Sequence, residues 1–257
     1  MSDFSLRKWY LDAADERGRV FIGYWATTSW KGLSLHFFQH LWIAQGGQLR
    51  SFGSFASSPE PQWQEEGVLR WPLPGLRGEW HASRVQGLSE QLLADQQGGI
   101  RWVCHQPKAW AKVDGREGSL EGWGYTECIE ISIPPWKLPI KTLYWGRCHS
   151  ASHYLVWIKW EGPSHQSLLW HNGQRLEDFS VSDAGVKAVP AAFEIDESLT
   201  LRKGTIGRSV FRALGPLAWL VPSKTRRIHE HKLYGTGRIV TQSDSQPATA
   251  IFEKVEW

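Results

Sequence analysis

Residues 153–160, HYLVWIKW, put Tyr154, Val156, Ile158 and Trp160 on one face of an extended chain, and stretches of this kind recur along the sequence. Alternation at a period of two belongs to strands. KWYLDA and RVFIGYWAT, joined by Asp15-Glu16-Arg17-Gly18, read as a β-hairpin. SLLWHNGQRLEDF holds Asn172-Gly173 between two strand-like runs, a pair suited to the positive φ angles of a tight hairpin turn. ATAIFEKVEW closes the sequence as a further alternating strand. Helical periodicity is confined to two places. In GLSEQLLADQQGG, Leu88, Leu92 and Leu93 form a stripe ended by Gly98-Gly99, and VFRALG is a shorter candidate cut off by Pro216. Many short strands between Gly/Pro turns predict an all-β sandwich or barrel with one or two short helices.

Composition narrows the function classes. The 257 residues suffice for one large β domain or two small ones, with no need of a metal or disulfide staple. The 29 basic and 26 acidic residues are interspersed, which is not the concentrated basic face of a nucleic-acid binder. Lys224-Thr225-Arg226-Arg227 reads as a solvated turn. The N-terminal residues lack an apolar export signal, and no run approaches the ~20 apolar residues of a membrane helix. Cys104, Cys128 and Cys148 match no paired metal spacing, so free thiols in a reducing cytoplasm are expected. The unusual feature is 17 Trp against one Met. Trp suits broad β surfaces or a roomy aromatic cavity, and its N–H needs a partner when buried.

A weak internal repeat is visible. WYLD at 9–12 resembles WGYTE at 123–127. Residues 23–52 can be laid against 143–179, so that Tyr24-Trp25 meets Tyr144-Trp145 and GGQLRSF meets NGQRLEDF. A period of about 120 residues suits duplicated β domains. The boundary is expected in the polar turn DGREGS, 114–119, giving domains 1–116 and 117–257.

Trp9-Tyr10-Leu11-Asp12, Gly124-Tyr125-Thr126-Glu127 and the YWGR strand at 144–147 carry a resemblance over nearly the whole chain. The sequence resembles the tandem lipocalin-like (calycin) proteins of the AttH and carotenoid 1,2-hydratase group and, more distantly, the tocopherol cyclases. That resemblance implies two packed β-barrels or half-barrels and a cavity for long polyene or prenyl-type ligands. It also implies cofactor-free protonation of an isolated double bond, with capture of the cation by water or an internal hydroxyl.

Protonating an alkene needs a carboxylic acid in a dry site, with aromatic faces to stabilise the cation. Glu127 and Asp12 are the carboxyls embedded in aromatic strands and the candidate catalytic residues. Trp123, Tyr125 and Glu127 share a strand face, as do Trp145, Arg147 and His149. A hairpin between the two strands would set Arg147 beside Glu127. Trp9, Tyr10, Trp25, Trp123, Tyr125, Trp145, Arg147 and His149 are the candidate ligand-binding residues. Ordinary structural roles compete: Glu127 with Arg147 as a rim ion pair, and Asp12 as a cap on the 15–18 turn. His229 with His231, and His149 with His153, could each share a face, but no third ligand accompanies them, so no metal or cofactor is expected. The expected function is binding of a hydrophobic small molecule, isoprenoid or polyene, in an aromatic barrel cavity. Acid-catalysed hydration, cyclisation or isomerisation is its enzymatic form. The competing reading is a non-enzymatic Trp platform for carbohydrate or peptide.

Overall fold

A computed structural model of the chain describes residues 4–44, 47–65, 67–83, 85–209 and 222–257. The chain is all-β and divides into two compact units, Met1–Pro134 and Pro135–Trp257, each with its own antiparallel sheet. The first unit holds β1 (Phe4–Ala14), β2 (Val20–Trp30), β3 (Leu33–Ile43), β4 (Leu49–Ser54), β5 (Gln62–Glu65), β6 (Val68–Leu73), β7 (Leu76–Ala82), β8 (Leu88–Asp95), β9 (Gly98–Gly115) and β10 (Gly118–Ile131). The second holds β11 (Thr142–His149), β12 (Tyr154–Glu161), β13 (Gln166–His171), β14 (Gln174–Leu176), β15 (Phe179–Ser182), β16 (Gly185–Ala188), β17 (Ala191–Thr205), β18 (His229–Thr241) and β19 (Ser245–Glu256). Its helical turns α1 (Ile206–Ser209) and α2 (Ser223–Arg226) are four residues each.

The strand orders are β4-β3-β2-β1-β10-β9-β7-β6-β5, with β8 also on β9, and β14-β13-β12-β11-β19-β18-β17-β16-β15. The second order repeats the first strand for strand, with β17 standing where β7 and β8 together flank β9. The duplication is therefore real as topology, but its register differs from the sequence alignment. β1 corresponds to β11, so Tyr144-Trp145 matches β1 and not Tyr24-Trp25 of β2. WYLD and WGYTE are not equivalent segments either: they are paired neighbours, with Tyr10 opposite Glu127 and Asp12 opposite Tyr125. The turn at 114–119 closes the β9–β10 hairpin inside the first sheet, Gly118 pairing with Gly115, and the two units divide at 134/135.

The expected hairpins form. Asp15 organises the β1–β2 turn, its Oδ1 accepting the amides of Arg17 and Arg19 at 3.0 and 2.9 Å. Asn172 and Gly173 take φ of 49° and 83° between β13 and β14. The helix expected at 87–99 is instead β8 and the start of β9. Leu88 and Leu92 are buried on one side of the strand, and a spacing of four residues is shared by helix and strand. Gly98 lies in the turn of a hairpin, with Asp95 Oδ1 accepting the amides of Gln97 and Gly98 at 2.6 and 3.1 Å. VFRALG, 210–215, lies outside the described residues.

One core cluster draws Trp9, Leu11 and Ala13 from β1, Trp25, Trp42 and Trp71 from β2, β3 and β6, and Trp80 from β7. Side chains from so many strands meet in one cluster because the sheet curls around it. Three of these indoles fix a connecting segment to the core. Trp9 donates to Glu60 Oε1 at 2.6 Å, Trp25 to the Ser58 carbonyl at 3.0 Å and Trp71 to the Pro59 carbonyl at 3.1 Å. Each indole N–H needs an acceptor inside an apolar core, and an irregular segment has carbonyls to spare. The second unit has its own core around Cys148, Leu155, Trp157, Leu169, Phe193 and Phe252.

Candidate active site

Alternation on β1 fixes which side faces the core. Trp9, Leu11 and Ala13 belong to the core, so Tyr10 and Asp12 project from the opposite face. On β10, Cys128 is in the core while Tyr125 and Glu127 share the face of Tyr10 and Asp12. The face bearing Glu127 therefore points away from the barrel core, an orientation that the sequence left open. It is nonetheless buried: Asp12 and Tyr125 are 0 % exposed, Tyr10 2 % and Glu127 7 %.

Register arranges these four side chains as a lattice. One row across β2, β1, β10 and β9 reads Tyr24, Tyr10, Glu127, Cys104, and the next contains Asp12 opposite Tyr125. Each acid has a tyrosine directly across the strand pair and another two residues away on its own strand. Tyr10 donates its hydroxyl to Asp12 Oδ2 at 2.9 Å, and Tyr125 donates to Glu127 Oε2 at 2.7 Å. Trp102 of β9 adds its indole N–H to the same Glu127 Oε2 at 2.5 Å. The two tyrosine rings meet edge to face at 6.1 Å. Burial, reinforced by Cys104 and Glu127, pushes the Tyr125 hydroxyl well above its ordinary value, so it stays a proton donor. Burial likewise raises the Cys104 thiol, with Glu127 and Asp12 adding to the effect. Both groups keep their protons at neutral pH.

The sequence contains a reason for this geometry in Pro107. The β9–β10 register slips between Gly124 and Thr126 and again between Thr126 and Glu127, so β9 carries extra residues there. Proline cannot donate to a ladder and sits at bulges, and bulges re-aim neighbouring side chains. Gln106 stitches the irregularity, donating to the carbonyls of Gly67 and Trp80 at 2.9 and 3.1 Å and accepting from Thr126 Oγ1 at 3.2 Å. Beyond the bulge, Cys104 stands opposite Glu127 and Trp102 reaches its carboxyl. Trp102 and Cys104 were not singled out in the sequence, because only the slipped register brings them to Glu127.

The other candidates divide between the units. Trp9 and Trp25 are core residues tied to Glu60 and Ser58. Trp123 is half-buried, with the Lys108 ammonium 4.1 Å from its ring and Trp110 edge-on at 5.3 Å. Burial lowers the Lys108 amine to about 8. Trp145, Arg147 and His149 lie on β11 in the second sheet, on the face opposite Cys148 and its core. All three are buried. The expected β10–β11 hairpin is absent: β10 pairs β1 and β9, whereas β11 pairs β12 and β19. Arg147 is thus not a cross-strand neighbour of Glu127.

Matching the duplicated sheets position by position puts Glu253 of β19 where Glu127 stands, Trp145 where Tyr10 stands and Lys232 where Cys104 stands. There the two chemistries part. Lys232 makes a close ion pair with Glu253, and its ammonium is 5.2 Å from the Trp145 ring. A carboxylate compensated by an ammonium is held in its charged form. The first unit instead sets a tyrosine hydroxyl, an indole N–H and the Cys104 thiol beside its carboxyl. Among the described residues, no group of three or more His, Cys, Asp or Glu side chains is placed to hold a metal ion, and no helix is long and apolar enough to cross a membrane.

No protein-family profile matches the chain, and no curated protein matches its sequence. Solved structures do. An AttH-like protein from Nitrosomonas europaea aligns with a TM-score of 0.59 at 10 % identity, over 99 % of this chain and 93 % of that one. CghA, solved with Sch210972, gives 0.57 at 10 % identity over 100 % and 89 %. Kievitone hydratase from Nectria haematococca gives 0.53 at 8 % identity over 99 % and 89 %. At such identities the likeness is one of fold, and the chain has the tandem lipocalin-like fold of the AttH-like protein, CghA and kievitone hydratase.

Proposed function

We propose that the chain is a cofactor-free acid–base catalyst acting on a carbon–carbon double bond of a hydrophobic small molecule, isoprenoid or polyene in type. The observation that carries this reading is the pair of buried carboxyls, Asp12 and Glu127, each hydrogen-bonded to a tyrosine hydroxyl on one face of β1 and β10. One of the structural neighbours is named a hydratase. The three free, buried thiols fit a reducing compartment, and the cytoplasm is the proposed location.

Glu127 serves as proton donor. A neutral carboxyl accepts hydrogen bonds at its carbonyl oxygen and carries its proton on the other. In the acid form Oε2 accepts from both Tyr125 and Trp102, which orient the carboxyl that carries the transferable proton. The π electrons take that proton to form a C–H bond, leaving a tertiary cation and a Glu127 carboxylate. Water adds its oxygen to the cation and loses a proton to Asp12, giving an alcohol. Capture by an internal hydroxyl gives a ring, and loss of a neighbouring C–H proton gives an isomer. Return of the proton from Asp12 to Glu127 restores the starting state. Tyr10 and Tyr125 offer ring faces to the cation. The Trp123 ring is a weaker candidate for that task, because Lys108 already lies against it.

Most of the 17 Trp are buried, and among the described residues the exposed ones are Trp63, Trp110 and Trp257. That distribution favours the buried site over a stacking platform. Incubation with an isoprenoid polyene in deuterated water tests the proposal. One new C–D bond in a hydrated, cyclised or isomerised product is expected. Recovery of the unchanged polyene from a protein that binds it would leave a carrier.

A further inference from the structure

A second cluster of ligating side chains is assembled within the second unit, around the β12–β13 hairpin. His171 ends β13, and His153 sits in the turn that leads into β12. Both are held by a dense backbone network: Ser150 N donates to the His153 carbonyl at 2.9 Å, His153 N to Ser150 Oγ at 3.0 Å, Asn172 N to the Tyr154 carbonyl at 3.1 Å and Tyr154 N to Asn172 Oδ1 at 2.9 Å. The imidazoles converge through His153 Nδ1 and His171 Nε2, 3.1 Å apart, with ring centroids at 5.1 Å. Asn172 Nδ2 approaches the same Nδ1 at 3.2 Å. Asn172 Oδ1 is committed to the Tyr154 amide, so its NH2 is the donor and His153 Nδ1 the acceptor. On the far side of the ring, Asp244 Oδ2 stands 3.8 Å from His153 Nε2. Gln246 Nε2 holds that oxygen at 2.5 Å.

We propose that His153 Nδ1 and His171 Nε2 form a binding site for a late first-row divalent ion of the Zn2+, Ni2+ or Cu2+ class. Two nitrogens on one tetrahedral ion at about 2.0–2.1 Å lie about 3.3 Å apart, close to the spacing present. Imidazole is the ligand type that suits these ions. Asp244 is the outer carboxylate on the Nε2 side of His153, favouring the proton there, and the ion takes the Nδ1 lone pair by displacing the donors Asn172 Nδ2 and His171 Nε2. His171 shifts its proton from Nε2 to Nδ1 when it ligates, so charge balances without a co-reactant. Water completes the shell. The sequence offered His149 as the partner of His153 at a spacing of four, but cross-strand placement selects His171.

The test is titration of the full chain with Zn2+ against a chromophoric chelator, followed by histidine ring NMR. One equivalent is expected to saturate, shifting the His153 and His171 resonances alone among the 10 histidines. His153→Gln and His171→Gln should each weaken Zn2+ affinity at least tenfold, and Asp244→Asn about tenfold. His165→Gln, in an exposed loop, should leave it unchanged. Absence of saturable binding would overturn the proposal, as would ring shifts at other histidines or affinity retained in both ligand variants. The NMR arm reads the native chain and stands even where a variant fails to fold.

Discussion

Tyr125 and Glu127 sit two residues apart on β10, and the hydroxyl of the first donates to Oε2 of the second at 2.7 Å in full burial. Removing that donor isolates its contribution. Tyr125→Phe should cost about 1–2 kcal/mol in urea unfolding, the range for a lost buried hydrogen bond. Turnover should fall less than in a Glu127 variant, because Trp102 still orients the carboxyl.

Glu127→Gln keeps an acceptor for Tyr125 and Trp102 but has no acidic proton. Turnover should drop by about 10²–10⁴, the usual contribution of a general acid, while ligand affinity stays within about threefold. Parallel rate and binding measurements separate the outcomes. A proportional loss of affinity and folding stability would assign Glu127 to structure alone.

Gly124, between Trp123 and Tyr125, lies against the backbone of β1. A Cβ there would meet the Asp12 carbonyl at 2.5 Å, the Ala111 methyl at 2.8 Å and Trp80 at 2.9 Å. Gly124→Ala should destabilise the chain by about 1–3 kcal/mol through overpacking. The strain falls on the strand that carries Asp12, so activity should fall with stability. Thermal unfolding and turnover on one preparation check both.

Lys108 gives a pH signature. Burial lowers its amine from 10.5 to about 8, and the ammonium lies against Trp123. Below that value both folded and unfolded chains hold the proton, and the folded state carries the cost of burying the charge. Between about pH 8 and about pH 10.5 the unfolded chain binds more protons, so this residue makes stability rise with pH. Lys108→Met should flatten that rise in urea midpoints measured across the interval. An unchanged slope would place the wild-type titration elsewhere.

The strand architecture was legible because alternation and the Asn172-Gly173 turn are local signals. β8 was not, since Leu88 and Leu92 satisfy both periods and only pairing with β9 decides between them. Glu127 and Tyr125 could be placed on one face from the sequence. Which face that was could not, because β1 is buried on both sides from Trp9 to Ala14 and alternation loses its contrast. The Tyr10–Asp12 lattice depends on the β1–β10 register, and Trp102 with Cys104 depends on the slip around Pro107. Long-range register of that kind has no local signature.

The most direct test is mass spectrometry of the organic extract from cells that make isoprenoid polyenes and express either the wild-type chain or Glu127→Gln. A product gained by water addition, ring closure or double-bond shift, present with the wild type and absent with Glu127→Gln, is the predicted result. The same product from both chains, or only unmodified polyene bound to both, would contradict a proton-transfer role for the buried carboxyls.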